Sequence, residues 1–267
     1  MDTDRSPEAD ATDDAGIGPD HAPGTDAAGA RKIRWWRWVA GGLAAVAVAA
    51  VAAAGVWLAV PLRADAARFA EVERQVEDAG DGIVMRPAAA STGEGLLFIP
   101  GARVEAEAYA WTLAPLVDAG TTVVIVRPPV RFAILETRAL AALTALAPEI
   151  STWRVGGHSL GGVRACAYAA ETPERIAGLV LLGSYCDDDI SGTALPVLSV
   201  GGSADALSTP RDIGEKAHLL PPDATFVQID GMSHAQFGAY GEQGGDGTAT
   251  IDDEAARNAL AKALIDA

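Results

Sequence analysis

"TWRVGGHSLGG", residues 152–162, runs from β-branched and aromatic residues into four glycines that surround a single serine, Ser159. The first part reads as a strand, and the residues from Leu160 onward read as a helix. Between them Gly157, His158, Ser159, Leu160 and Gly161 fill the pattern G-x-S-x-G. A serine placed there sits on a sharp, strained turn, and its small neighbours let strand and helix approach closely. The helix dipole then points at Ser159, and the Leu160 amide becomes a donor to any negative oxygen that forms beside it. Four glycines around one serine are thus the local chemistry of a presented nucleophile.

Outward from this turn the chain alternates short apolar runs with helical segments. Residues 82–87, 95–101, 121–127, 152–157, 178–184, 196–202 and 225–230 are strand-like. Residues 105–118, 133–147, 160–171, 209–219 and 252–266 have helical period and propensity. Such alternation predicts parallel pairing, hence a doubly wound, mostly parallel α/β sheet over residues 80–267, with functional groups at the carboxyl ends of strands.

A serine needs a base, and the base needs an acid. The chain has four histidines: His21 in an acidic tail, His158 fixed beside Ser159 with its ring directed elsewhere, His218 at a helix end, and His234 in "GMSHAQFG" after the last strand. His234 alone is placed to reach Ser159 across the strand ends. Asp205, in "VGGSADAL" after the preceding strand, is the expected acid and gives the order Ser, Asp, His. Asp187, Asp188 and Asp189 compete for that role, but a run of like charges resists burial. The second oxyanion donor is expected after the strand "LLFIPG": the Ala102 amide, with Gly101 as the alternative. Arg103 either meets an anionic substrate group or pairs with a neighbour such as Glu105. In "GEQGGDGTATI", Gln243 and Asp246 either act near the base or belong to a turn.

The amino-terminal part differs in kind. Residues 1–30 carry eight acidic residues, one arginine and no aromatic residue, too little apolar surface to offset the entropy of ordering, and are read as a disordered acidic tail. "RKIRWWRW" follows, and residues 39–60 then hold no charge before Pro61 and Arg63. As a helix they would span roughly 33 Å, enough to cross a hydrocarbon core. Trp35, Trp36, Trp38 and Trp57 stand where interfacial aromatics belong. Residues 31–62 are therefore read as a basic flank with a transmembrane helix, and 63–79 as a linker helix. Arg31, Lys32, Arg34 and Arg37 keep the amino terminus cytoplasmic and put the rest of the chain outside. The apolar stretch exceeds the length of a signal-peptide core, which favours an uncleaved anchor over a leader ending at "ADA", 64–66.

The net charge of −16, with no basic cluster beyond residues 31–37, disfavours nucleic-acid binding. The two cysteines, Cys166 and Cys186, fit no metal-ligand spacing. Cys166 falls roughly 10 Å along its helix from the Ser159 turn, which favours two packed free thiols over a pair.

With these residues in view, 80–267 resembles the α/β-hydrolase superfamily. The strings "FIPGARVEAEAYA", "GGHSLGGVRACAYA", "LVLLGSY", "VGGSADAL" and "GMSHAQFGAYGEQGGDGTATI" look like a compact bacterial group, α/β hydrolase fold 5, related in shape to dienelactone hydrolases. The resemblance implies a serine hydrolase cleaving an ester or similar acyl bond, with no cofactor. Dienelactone hydrolases carry cysteine where this chain has Ser159, so their lactone specificity is not implied. About a dozen residues separate the strand ending near Ser184 from the next, too few for a helical cap, which predicts a cap-less, open site for a small or surface-displayed ester. A non-catalytic relative that binds ligand in the same pocket is the alternative.

Overall fold

The computed structural model describes residues 27–267, so the acidic tail up to residue 26 lies outside the described residues. The chain divides into two compact units between Gly55 and Val56.

Helix α1, Ala27–Ala59, starts inside the stretch read as tail and extends through the apolar run. Its Trp35–Ala52 stretch is long and apolar enough to cross a membrane, and none of it is buried. Trp35, Trp36 and Trp38 are exposed among them.

The second unit is built on eight strands: β1 (Val76–Asp78), β2 (Gly82–Met85), β3 (Glu94–Ile99), β4 (Thr122–Val126), β5 (Thr152–His158), β6 (Gly178–Leu182), β7 (Val197–Gly202) and β8 (Thr225–Ile229). They form one sheet in the order β1-β2-β4-β3-β5-β6-β7-β8. β1 and β2 pair antiparallel, as do β2 and β4, and every pairing from β4 through β8 is parallel. The seven strands expected from the sequence are all present. β1 was missed: it is a short edge strand whose residues are not buried.

The helices are α2 (Ala66–Val72), α3 (Ala110–Asp118), α4 (Leu140–Thr144), α5 (Leu160–Glu171), α6 (Pro210–Lys216) and α7 (Asp253–Ile265). α2 falls where a linker helix was expected, but its Phe69 and Val72 pack into the core of the sheet unit. The helix expected over 133–147 is shorter, with only a single turn of 3-10 helix at Ala133–Leu135 before α4. The carboxylate of Glu136 accepts both the backbone N–H and the guanidinium of Arg138, a local bond that competes with the helical ladder.

Buried side chains alternate between the two faces of the sheet. Leu96, Phe98, Val123 and Ile125 face the layer that holds Trp111 of α3 and Leu260 of α7. Leu97, Ile99, Val124 and Val126 face the layer that holds Tyr168 of α5 and Leu143 of α4. A sheet apolar on both faces must be covered on both. The β6–β7 connection, residues 183–196, contains neither helix nor strand, in keeping with the cap-less expectation.

The cysteines depart from expectation. Cys166 of α5 is bonded to Cys186, with Cα atoms 5.4 Å apart. The distance of Cys166 from the Ser159 turn had argued for free thiols, but the chain leaving β6 runs beside α5, where Ile190 and Leu195 share a core with Cys166. The bridge spans a sequence separation of 20 residues, for which loop-closure entropy gives a stabilisation of about 3 kcal/mol.

β3 has β4 on one side and β5 on the other, and the chain leaves it toward β4 and then returns to build the sheet outward from β5. Where the winding reverses, the connections at the strand carboxyl ends part and leave a crevice. Gly101 and Ala102 follow β3 there, and Ser159 follows β5.

Candidate active site

Ser159 lies between β5 and α5 with φ 55° and ψ −127°. A non-glycine residue in that region carries strain of about 1–3 kcal/mol and persists only where its surroundings fix it. Here the Ser159 amide donates to Leu182 O at 3.1 Å, and the Ser184 hydroxyl donates to Ser159 O at 2.7 Å. The glycines are steric necessities. A Cβ on Gly157 would stand 2.3 Å from the Gly161 carbonyl carbon, and one on Gly161 would stand 1.9 Å from Ile99 O. Ser159 itself is only half-buried, and Leu160 beside it is exposed.

Asp205 follows β7 and His234 follows β8. His234 Nδ1 donates to Asp205 Oδ2 at 2.7 Å, and both side chains are buried. Asp205 Oδ1 accepts the amides of Leu207 at 2.8 Å and Ser208 at 2.7 Å. An ionised carboxylate only accepts, so this contact places the imidazole proton on Nδ1 and leaves Nε2 basic. Nε2 is buried and has no hydrogen-bond partner among the described residues.

The competing acids lie elsewhere. Asp187, Asp188 and Asp189 are exposed; Asp187 meets Lys216 and Asp189 accepts from Ser191. His218 is exposed, its Nδ1 bonded to Glu215 O, and His21 lies outside the described residues. Among the described residues no cluster of three His, Cys, Asp or Glu side chains is suited to a metal ion.

Two features of the site escaped sequence reasoning. The first is Tyr109. Its hydroxyl accepts the Gly101 amide at 3.0 Å and meets His158 Nδ1 at 2.9 Å. Burial pushes the Tyr109 hydroxyl well above the ordinary phenol range, so it stays protonated and donates to His158. Gly101 is therefore spent on Tyr109, whereas the Ala102 amide has no acceptor among the described residues. Of these two amides, that of Ala102 is the one left without a bond. A tyrosine eight residues past a glycine carries no motif, which is why the pairing was not legible.

The second is the use of His158. Its ring is buried and its centre lies 4.3 Å from that of His234, so the two imidazoles pack against each other. Burial first, and the neighbouring His234 second, hold His158 well below the ordinary imidazole range. An unfolded chain would take up a proton on this residue near pH 6.5. Unfolding therefore absorbs a proton below about pH 6.5, and stability, full above that pH, falls as the solution is acidified, by up to about 1.4 kcal/mol per pH unit. His158→Gln is expected to flatten this slope. Urea midpoints at pH 7.5 and 5.5 check it, and an equal acid loss in both proteins would show that His158 does not carry the effect.

Asp246 settles the role left open for its segment. Its carboxylate accepts the amides of Ala206 at 3.3 Å, His234 at 3.2 Å, Ala235 at 2.8 Å and Gly247 at 2.7 Å. One side chain thus ties the Asp205 loop to the His234 loop. Gln243 accepts the Tyr240 hydroxyl. The Arg103 guanidinium donates to Val60 O at 3.1 and 2.7 Å.

In comparison with known proteins, the family model described as "Alpha/beta hydrolase family" matches residues 95–258, a span that includes Ala102, Ser159, Asp205 and His234. No curated protein matches the chain.

Proposed function

The chain belongs to the alpha/beta hydrolase family, which supports a hydrolase-type function, and from that premise we propose that it is a membrane-anchored serine hydrolase cleaving carboxylic esters or similar acyl bonds. The observation that carries this reading is the buried His234–Asp205 pair at 2.7 Å, its Nε2 left unpartnered, at the same strand ends as a strained, accessible Ser159.

In the proposed reaction His234 Nε2 takes the Ser159 proton as Oγ attacks the acyl carbonyl. The Leu160 and Ala102 amides receive the negative oxygen. Asp205 holds the imidazole tautomer and stabilises the imidazolium. His234 then gives its proton to the leaving alkoxide, the alcohol departs, and an acyl-enzyme on Ser159 remains. Water, deprotonated by the same Nε2, attacks that ester; the acyl–Oγ bond breaks, His234 returns its proton to Ser159 Oγ, and the acid is released. No step calls on a cofactor.

Anchoring rests on α1 and its basic flank, which would hold the amino terminus in the cytoplasm. The Cys166–Cys186 bridge supports an oxidising, extracytoplasmic location for the hydrolase unit.

A fluorophosphonate probe tests the proposal. The full chain is expected to label, and Ser159→Ala is expected not to. Folded wild-type protein that remains unlabelled would overturn the reading in favour of a ligand-binding relative.

A further inference from the structure

The exposed apolar side chains of the hydrolase unit are unevenly placed. Beyond Val60, the large ones are Val130, Ile134, Leu135, Leu160, Leu207, Phe226 and Ile265. The first five all follow the carboxyl ends of parallel strands: the 129–135 loop after β4, Leu160 after β5 and Leu207 after β7. Only Phe226 and Ile265 lie elsewhere. Val130 and Ile134 are each 70% exposed and Leu135 is 49% exposed, and they belong to one pinned loop. Val130 and Arg131 have φ of 46° and 60°, and the turn is held by bonds from Arg131 N to Pro128 O and from Leu135 N to Phe132 O. A β-branched residue held in the left-handed region, with its side chain in water, is explained by nothing in the packing of this unit.

The segment just before the sheet unit's first helix is bonded to the same edge. Val56 to Val60 belong to the unit that holds the sheet, and the uncharged run stops there, before Pro61 and Arg63. Val60 O accepts the two bonds from Arg103. Leu62 pairs in parallel with Val104, its amide donating to Arg103 O at 2.8 Å and its carbonyl accepting from Glu105 N at 3.0 Å. Arg103 N in turn donates to Arg131 O at 2.7 Å. The residue at which the chain leaves the apolar run is therefore one side chain away from the loop that exposes Val130 and Ile134. The catalytic edge lies further along the same path: a Cβ on Gly101 would lie 3.4 Å from Ser159 Cβ. With every link from Ser159 through Gly101, Arg103 and Leu62 at full extension, Val60 is within about 25 Å of Ser159.

We propose that the 129–135 loop docks on the lipid bilayer that the chain's own apolar helix enters, so that the Ser159 site opens at the membrane surface and acts on amphiphilic esters held there. The inference rests on the anchored serine-hydrolase reading and names its substrate class. Apolar side chains beside an exposed guanidinium, here that of Arg131, match the boundary between acyl chains and phosphate headgroups. An open site without a cap suits a substrate that is brought up by the surface and does not need to be enclosed.

The test uses the full chain in vesicles of phosphatidylcholine with a third phosphatidylglycerol. Because the native cysteines are joined, Ile134→Cys and, as a control at the amino end of β8, Thr225→Cys each offer one thiol to a polarity-sensitive fluorophore. The label at 134 is expected to be quenched by lipids carrying a shallow nitroxide, and the label at 225 by aqueous iodide only. In parallel, Val130→Ser combined with Ile134→Ser is expected to lower kcat/KM at least tenfold on a long-chain ester dispersed in the vesicles, with hydrolysis of a short water-soluble ester unchanged. A protein that fails to float with the vesicles overturns the anchor and the docking together. One that floats, yet keeps position 134 open to iodide, overturns the docking alone. A label at 134 shielded from both quenchers marks a protein partner on this loop and overturns it as well. The quenching readout needs no turnover, so it stands apart from any failure of the hydrolase reading.

Discussion

Asp205→Asn is expected to lower kcat by about 10³- to 10⁴-fold while the fold survives. The reason lies in which oxygen does what. Oδ1 accepts two backbone amides, from Leu207 and Ser208, and Oδ2 accepts His234 Nδ1. An asparagine of the same shape has one oxygen and one amino group. Two N–H donors on the Oδ1 side outweigh one, so the oxygen stays with Leu207 and Ser208 and the amino group turns to the imidazole. Nδ1 must then accept, the ring proton moves to Nε2, and the atom needed to receive the Ser159 proton already carries one. Ground-state binding is little changed, so the loss falls on kcat more than on KM. Rates on a short-chain chromogenic ester, with circular dichroism to confirm folding, provide the check. A folded variant within tenfold of wild type would remove Asp205 from its proposed role.

What could be read in advance, and what could not, follows from the range of the interactions. β2 through β8 are short runs of mostly apolar residues with glycine or proline close by, and β3 through β7 are nearly wholly buried, so their pattern is local and visible. β1 is short, half-polar and at the sheet edge, and nothing within it separates it from the end of a linker. Ser159, Asp205 and His234 were nameable because each sits just past a strand and because their order along the chain is informative. The Tyr109–His158 contact and the amides of Ala206, His234 and Ala235 gathered by Asp246 depend on segments separated in sequence and adjacent only after folding. The cysteine pair failed for the same reason: position along α5 is a local quantity, but the path of the chain after β6 is not. In 133–147 the helical period is interrupted where Glu136 and Arg138 bond to each other and Arg138 also meets Asp81, Arg127 and Tyr168, partners that lie outside the segment.

Gly161→Ala is expected to destabilise the hydrolase unit by on the order of 3–5 kcal/mol, at the upper end of what single substitutions do. The added methyl carbon would stand 1.9 Å from Ile99 O and 2.6 Å from Pro100 O, far inside van der Waals contact. Both obstacles are backbone, so no rotamer relieves them. Ile99 is fixed by its pairing with Gly157, and Gly161 lies in the first turn of α5, where Gly162 N and Val163 N are bonded to Ser159 O. One of two regular elements has to move. If β3 yields, Ala102 leaves the neighbourhood of Ser159; if α5 yields, the Leu160 amide and Ser159 itself shift. Catalysis should therefore fall further than stability in whatever fraction stays folded, because a displacement of about 1 Å is enough to cost roughly 100-fold in rate. Gly214, in α6, is the matched control: a Cβ there meets nothing within 4 Å, and Gly214→Ala is expected to stabilise by about 0.5–1 kcal/mol through helix propensity. Denaturation midpoints of the full chain in detergent compare the two. If Gly161→Ala melts within a degree or two of wild type, the strand and helix around Ser159 are not in the close contact on which its presentation depends.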